Sequence, residues 1–488
     1  MRDAAHQSLL KARRQAIHAS IAECLERDFP ALASMQPELL AYHHAAARRP
    51  EIAAARWAKA AQLAFNRSAM QEALAHARRG LEELACVADG PARARPEATL
   101  HATLALALKA SKGVGHPDTE RAFERAHALM RGSAGRPLAF PVPFGLWHAH
   151  WFQGHLGQAR AEAGELLVLA RSSGSREQLL AAENAMGSCL IHAGENVAGL
   201  AHFDRVLALH DRERDAPLAF RYMVDFGVSH GFSAAMAHFA LGWPDAALQE
   251  ARDVIAHART RLPANLCAAL NFAAHVPIFR DEPATALGWA EECLALADTH
   301  GFAFHAASAR INRGWTRARL GRPGEGMAEI RAGIEGWHRS GAGLWSPRHL
   351  LLLAEACIRD GRGSEAAALA GQALAIIRRT GQRHFESPVL TARGDALLAA
   401  GLAASDAAAE AEGCYREAAE VVHARHARHA RHARSWELRA VLPLARLRHA
   451  QGDIAEARAL LAPVCGAFTE GFDTGDLKEA KALLQRPT

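Results

Sequence analysis

At 488 residues, half of them hydrophobic, the chain is long enough for two or three ordinary domains or for one elongated repeat array. No apolar run approaches the roughly 18 to 20 residues that span a bilayer, and the first residues lack the charged-then-apolar signal pattern, so a cytoplasmic location is expected. The net charge of +5 is small and comes from Arg, which argues against a nucleic-acid footprint; the eight cysteines form no C-x-x-C, so neither zinc nor a disulfide framework is indicated.

Residues 3–28 carry Leu9, Leu10, Ile17, Ile21 and Leu25 at helical spacing and predict one helix or two, ended by Asp28-Phe29-Pro30. Glu38–Ala47 predicts a second helix bearing His43 and His44. Arg56–Leu84 predicts a hairpin turning at Ser68, with Ala61 seven residues before and Ala73 five after. Asp89-Gly90-Pro91 breaks it, and residues 97–131 predict an irregular hairpin around Lys112–Pro117. Residues 131–143, rich in Gly and Pro, read as a loop or a seam.

From Phe144 the chain is periodic. Gly321, Gly361 and Gly401 advance by 40 residues, as do Gly301, Gly341 and Gly381. The full set of hairpin turns reads Gly154, Gly194, Gly242, Asp281, Gly321, Gly361, Gly401 and Gly452. Seven residues before them stand Trp147, Gly187, Ala235, Ala274, Gly314, Ala354, Gly394 and Ala445; five after stand Ala159, Gly199, Ala247, Ala286, Gly326, Ala366, Asp406 and Ala457. Ala or Gly fills 14 of these 16 places, which lets paired helices approach closely. The spacing resembles the tetratricopeptide repeat, with a longer period and mostly without the usual large aromatic. The expected fold is an all-α, right-handed superhelical solenoid of tetratricopeptide-like hairpins with a period of about 40. Its regular part ends near Phe468, and Thr469–Leu484 predicts a turn and a capping helix started by Asp473 or Thr474. The expected divisions are 1–48, a helical segment; 49–136, irregular hairpins; 137–468, the regular array; and 469–488, the cap.

A family resemblance enters at the two ends. RDAAHQSLLKARRQAIHASIAECLERDFP (2–30), KASKGVGHPDTERAFERAHALM (109–130) and LLAPVCGAFTEGFDTGDLKEAKALL (460–484) resemble the C-terminal helical region of bacterial signal-transduction ATPases, often fused to class III adenylate or guanylate cyclase domains. The resemblance implies that residues 1–48 correspond to the exit of an ATPase module. It further implies a truncated, regulatory tail that senses a ligand or partner and transmits binding toward that segment. No G-x-x-x-x-G-K-[ST] and no Gly-Lys pair occurs, so no nucleotide chemistry, cofactor or metal is expected in these residues. Three alternatives remain: an ATP-binding cyclase or ATPase relative whose activity lies in missing N-terminal domains, a nucleic-acid-binding helical repeat, and a stand-alone scaffold. The second needs a basic inner face, yet Glu355 and Asp395 are expected there.

Other motifs read as structure. Gly227-Val228-Ser229-His230-Gly231 matches G-x-S-x-G, but a nucleophile needs a strand-to-helix turn and this stretch enters a helix. Lys112-Gly113-Val114-Gly115 is too short for a nucleotide fingerprint and reads as a connecting loop. His423, His426, His429 and His432 step by three and cannot all face one ion, so an exposed expansion of an Arg-rich helix is the reading. His43-His44 and Trp147-His148-Ala149-His150-Trp151 read as core positions with a polar edge.

If the first helix of each hairpin lines a concave groove, the positions six before each turn face it: His148, Ser188, Met236, His275, Trp315, Glu355, Asp395 and Arg446. Ten before the turn come Phe144, Asn184, Phe232 and Asn271. This mixed polar and aromatic stripe suits an extended peptide, a protein segment or a small polar ligand. The expected function is a non-catalytic interaction or sensor domain.

Overall fold

The computed structural model describes residues 11–67, 69–130, 140–222, 224–401, 404–426 and 433–486. Among these every regular element is helical and no strand occurs. Proline opens many of the helices, as at Pro37, Pro50, Pro244, Pro283 and Pro323, where its missing N–H costs nothing and its fixed φ already suits the helix. The chain divides into two compact units, Met1–Ala149 and His150–Thr488.

The first unit contains Lys11–Asp28, Pro30–Met35, Pro37–Ala46, Pro50–Asn66, Met70–Leu84, Pro91–Lys112 and Pro117–Met130. Ala54, Ala61, Ala77, Leu84 and Leu100 form its core, and a methyl on Gly80 would sit 2.6 Å from the Leu100 side chain. The hairpin around Lys112–Pro117 is present, tied by Lys112 Nζ to Asp118 at 2.6 Å. Ser68 and residues 131–139 lie outside the described residues. The expected loop does not extend to 143: Pro141 opens the helix Pro141–Gln153.

The second unit repeats one motif. Its first helices are Arg176–His192, Phe226–Leu241, Pro263–Ala273 continued by His275–Phe279, Ala303–Arg319, Ser346–Arg359, Glu386–Ala399 and Arg434–Ala450. Each packs on the helix that follows its turn, in order Asn196–Leu209, Pro244–Ala258, Pro283–His300, Pro323–Arg339, Gly363–Thr380, Ala404–His426 and Ile454–Gly466. All eight expected turn residues have positive φ, from 62° at Asp281 to 96° at Gly242. The small residues stand where the helices cross: a methyl on Gly314 would lie 2.7 Å from the Gly326 carbonyl oxygen, and one on Gly187 would lie 2.6 Å from the Phe203 ring. The chain is therefore an all-α array of tetratricopeptide-like hairpins.

The capping helix is Gly475–Leu484, but neither expected residue caps it with its side chain. Thr474 occupies the N-cap position and spends its hydroxyl on the Gly471 carbonyl at 2.7 Å, while Asp473 pairs with Arg280 at 3.0 Å. The tail instead fastens this unit to itself. Glu470 accepts from the amides of Asp245 and Ala246 at 2.8 and 3.0 Å, at the start of Pro244–Ala258. The Asp245 carboxylate accepts from the Gly471 amide at 2.8 Å. Arg280, its side chain 2% exposed, meets Asp245 and Glu282 at 2.6 Å as well as Asp473. Nearby, the Ser435 hydroxyl donates to the Phe239 carbonyl at 2.5 Å.

Candidate ligand groove

Seven residues advance by about 700°, close to two full turns, so residues seven apart share a face and those three or four apart flank it. On Arg176–His192 the stripe that includes the expected groove positions carries Asn184, Ser188 and His192; on Ser346–Arg359 it carries Arg348 and Glu355. The structure places Ser188, Met236, His275 and Trp315 at 1 to 4% exposure, Glu355 and Asp395 half-buried, and Arg446 exposed. His148 is buried in the first unit, stacked on Trp147 at 5.6 Å. Of the positions ten before the turn, Phe144 lies in the first unit, whereas Asn184, Phe232 and Asn271 are buried in the second.

Polar bonds stitch neighbouring stripes together. Asn184 Nδ2 donates to Ser229 Oγ at 3.3 Å, Asn312 Nδ2 to the Asn271 carbonyl at 3.1 Å, and Arg348 Nη2 to Asn312 Oδ1 at 3.0 Å. Trp315 Nε1 donates to Glu355 at 2.7 Å, whereas the Tyr415 hydroxyl donates to Asp395 at 2.7 Å within a single hairpin. The bonds between hairpins thus tie Arg176–His192 to Phe226–Leu241, and Ala303–Arg319 to the first helices on both sides of it.

The inner face is packed. Trp345, held at φ 70° ahead of Ser346–Arg359, stacks on His275 at 4.2 Å and meets His192 edge-on at 4.7 Å. Phe385 stacks on Phe279 at 5.7 Å, and Trp436 meets Phe279 at 5.0 Å and Phe239 at 5.4 Å. A cavity of about 10 Å³ lies beside Asn196, His384, Ser387 and Trp436.

Burial sets the electrostatics. It pushes the His192 imidazole down to about 4, and holds His275 and His349 well below the ordinary value, with the Arg348 charge adding to both. The Arg348 guanidinium itself is pushed down to about 9 by burial. Burial raises the carboxyls of Glu355 and Asp395, against the bonds from Trp315 and Tyr415. Along the same face several buried polar atoms find no hydrogen-bond partner among the described residues: Asn184 Oδ1, Ser188 Oγ, His192 Nε2, Ser233 Oγ, Asn271 Oδ1, both His275 ring nitrogens, Trp345 Nε1 and Arg348 Nε.

The remaining motifs sit elsewhere. Ser229 lies inside Phe226–Leu241 and accepts from Asn184, with no strand before it. His43 meets His18 at 2.8 Å, and His44 meets Glu26 at 3.4 Å. His150 meets Glu162 at 2.8 Å, and Trp151 meets His192 edge-on at 5.1 Å. His423 pairs with Glu437 at 2.8 Å; His429 and His432 lie outside the described residues, as does the side chain of His426.

Sequence reasoning missed Arg348 and Trp345. Arg348 was within reach, since it lies seven residues before Glu355 on the same stripe. Trp345 precedes its helix, and no periodicity assigns it an inward position.

No protein-family model and no curated protein matches the chain. Among solved structures it is similar to a Rap protein complexed with competence and sporulation factor, at 12% identity and TM-score 0.48, covering 84% of this chain and 100% of that one. It is also similar to NprR in complex with its cognate peptide NprX, at 13% identity and TM-score 0.40, covering 60% and 82%. A tetratricopeptide repeat protein from Parabacteroides merdae matches at 11% identity and TM-score 0.33, covering 59% and 99%.

Proposed function

We propose that the second unit is a non-catalytic sensor that binds an extended peptide along its inner face. The observation that carries this reading is the run of buried, unpartnered donors and acceptors on successive first helices. Leaving such an atom without a partner costs about 1 to 3 kcal/mol, so a row of them marks a surface built for something polar. A peptide backbone offers donors and acceptors in alternation, matching the mixed set supplied by Asn184, Ser188, Asn271 and His275. Trp345, Phe385 and Trp436 occupy the face in this state, and the ligand displaces them.

The finer reading is that the chain is the regulatory tail of a signal-transduction ATPase or cyclase system in the cytoplasm. The segment resembling an ATPase exit leaves Ile17 and Ile21 about 40% exposed on Lys11–Asp28, with Phe29 and Met35 exposed beyond it. Such an apolar face suits an attached module. The eight free thiols suit a reducing compartment.

Affinity selection from a random pentapeptide library tests the binding reading. Retained peptides should be lost by at least tenfold in Asn184→Ala/Asn271→Ala, with helicity unchanged. Retention that ignores these substitutions, or no retention at all, sinks it.

A further inference from the structure

Two buried arginines of the second unit contrast. Arg280, 3% exposed, is surrounded by three carboxylates. Arg348, 1% exposed, has one neutral partner, Asn312 Oδ1, and its Nε has none. Among the described residues no carboxylate lies within ion-pair distance of it. The nearest acidic group on its own stripe, Glu355, lies two turns along, accepts from Trp315, and acts on the guanidinium only through space, offsetting part of the burial effect. The imidazoles around it, His275 and His349, are held neutral by burial and by this same charge. A desolvated cation without a contacting counter-ion is costly, so an anion brought by a ligand into contact with it would be favoured there.

We propose that Arg348 is the anchor for a single carboxylate of the peptide ligand, and this rests on the peptide reading above. The guanidinium edge that includes Nε is the one a carboxylate engages in a planar two-bond contact. Arg348 stands in the first turn of Ser346–Arg359, where the helix dipole adds positive potential. Trp345, one position before that helix, presents an indole N–H that also lacks a partner. One cation among neutral imidazoles matches one negative charge. A phosphate dianion would leave excess charge on the stripe that already carries Glu355.

Three pentapeptide libraries at equal concentration separate the outcomes. The first has free C-termini and no Asp or Glu; the second has amidated C-termini and one Asp or Glu; the third is amidated and free of acids. Each is passed over the full chain, Arg348→Gln and Arg348→Lys, with retained peptides read by mass spectrometry and folding checked by thermal melting. The expected result is retention from the first or second library only, falling at least tenfold in Arg348→Gln and less in Arg348→Lys. The first and second libraries also tell a terminal from a side-chain carboxylate. Equal retention of the third library overturns the carboxylate anchor while leaving peptide binding intact, and needs no variant. Unchanged retention by a folded Arg348→Gln overturns it as well. No retention from any library overturns the anchor and the peptide reading together.

Discussion

At the scale of residues, Asp281 shows how local geometry and a distant partner decide one position. It is the single non-glycine among the eight turns, at φ 62°, and its carboxylate is held by Arg319 through Nε and Nη2. An L-residue there pays about 1 kcal/mol of backbone strain, and Asp pays less than Ala because its short side chain bonds locally. Asp281→Gly relieves the strain but loses the pair; Asp281→Ala loses the pair and keeps the strain. Chemical denaturation should find the Ala variant less stable than the Gly variant by about 1 kcal/mol. Imidazoles give the second prediction. His192 and His305 are pushed down to about 4 by burial, so between the ordinary value of 6.5 and 4 the unfolded chain binds protons that the folded chain refuses. Stability is then fully present above pH 6.5 and falls as pH drops toward 4, by up to about 3 kcal/mol per group. Glu355 and Asp395, with raised carboxyls, shift the other way and soften the fall. Thermal melting from pH 7 to 4 should therefore show a steep decline in the native chain and a flatter one in His192→Gln/His305→Gln.

At the scale of elements, the pairing of Ala303–Arg319 with Pro323–Arg339 depends on two facing glycines. A methyl on Gly326 would strike the Gly314 carbonyl and sit 2.9 Å from the Ala318 amide. Gly→Ala in a helix interior normally stabilises by up to about 1 kcal/mol, whereas overpacking costs about 1 to 3. At Gly326 the clash is with backbone, which cannot swing aside, so Gly326→Ala should destabilise by about 1 to 2 kcal/mol. Gly371, inside Gly363–Thr380, has nothing within 4 Å of its missing Cβ. Gly371→Ala should stabilise by about 0.5 to 1 kcal/mol, and equal signs at the two sites in urea titrations would refute the close-approach account. These elements were legible in the sequence because their signals are local: a turn glycine, small residues seven before and five after, and proline at the next start. The spacing of the candidate stripe follows from the same local signals. The stripe's burial does not, because the partners are far along the chain: Trp345 covers His192 and His275, and Ser435 reaches Phe239. Nor could the expected cap at Asp473 be corrected from sequence, since its competitor is Arg280.

At the scale of the molecule, contacts fasten the second unit's tail to its middle, and the proposed peptide is expected to enter only when they part. The clasp consists of Glu470 on the amides of Asp245 and Ala246, and Asp473 on Arg280. The pair with Asp473 is exposed on the acidic side, at 69%, and pairs of that kind contribute about 0 to 1 kcal/mol. The contact of Glu470 resembles a helix N-cap, worth about 1 kcal/mol. Glu470→Ala/Asp473→Ala should therefore cost about 1 to 2 kcal/mol and leave the hairpins folded. Hydrogen exchange should quicken in Gly475–Leu484 and at the start of Pro244–Ala258, and much less in Ala303–Arg319. Binding that follows opening has an association rate below the usual range of about 10⁵ to 10⁷ M⁻¹s⁻¹, and the rate rises with the open population. About 1 kcal/mol removed from the clasp should raise that rate roughly fivefold without altering the contacts made by Asn184 or Asn271. Stopped-flow binding of a peptide retained by the native chain measures this. An unchanged rate in a variant whose tail exchanges faster would show that the ligand enters without the clasp opening.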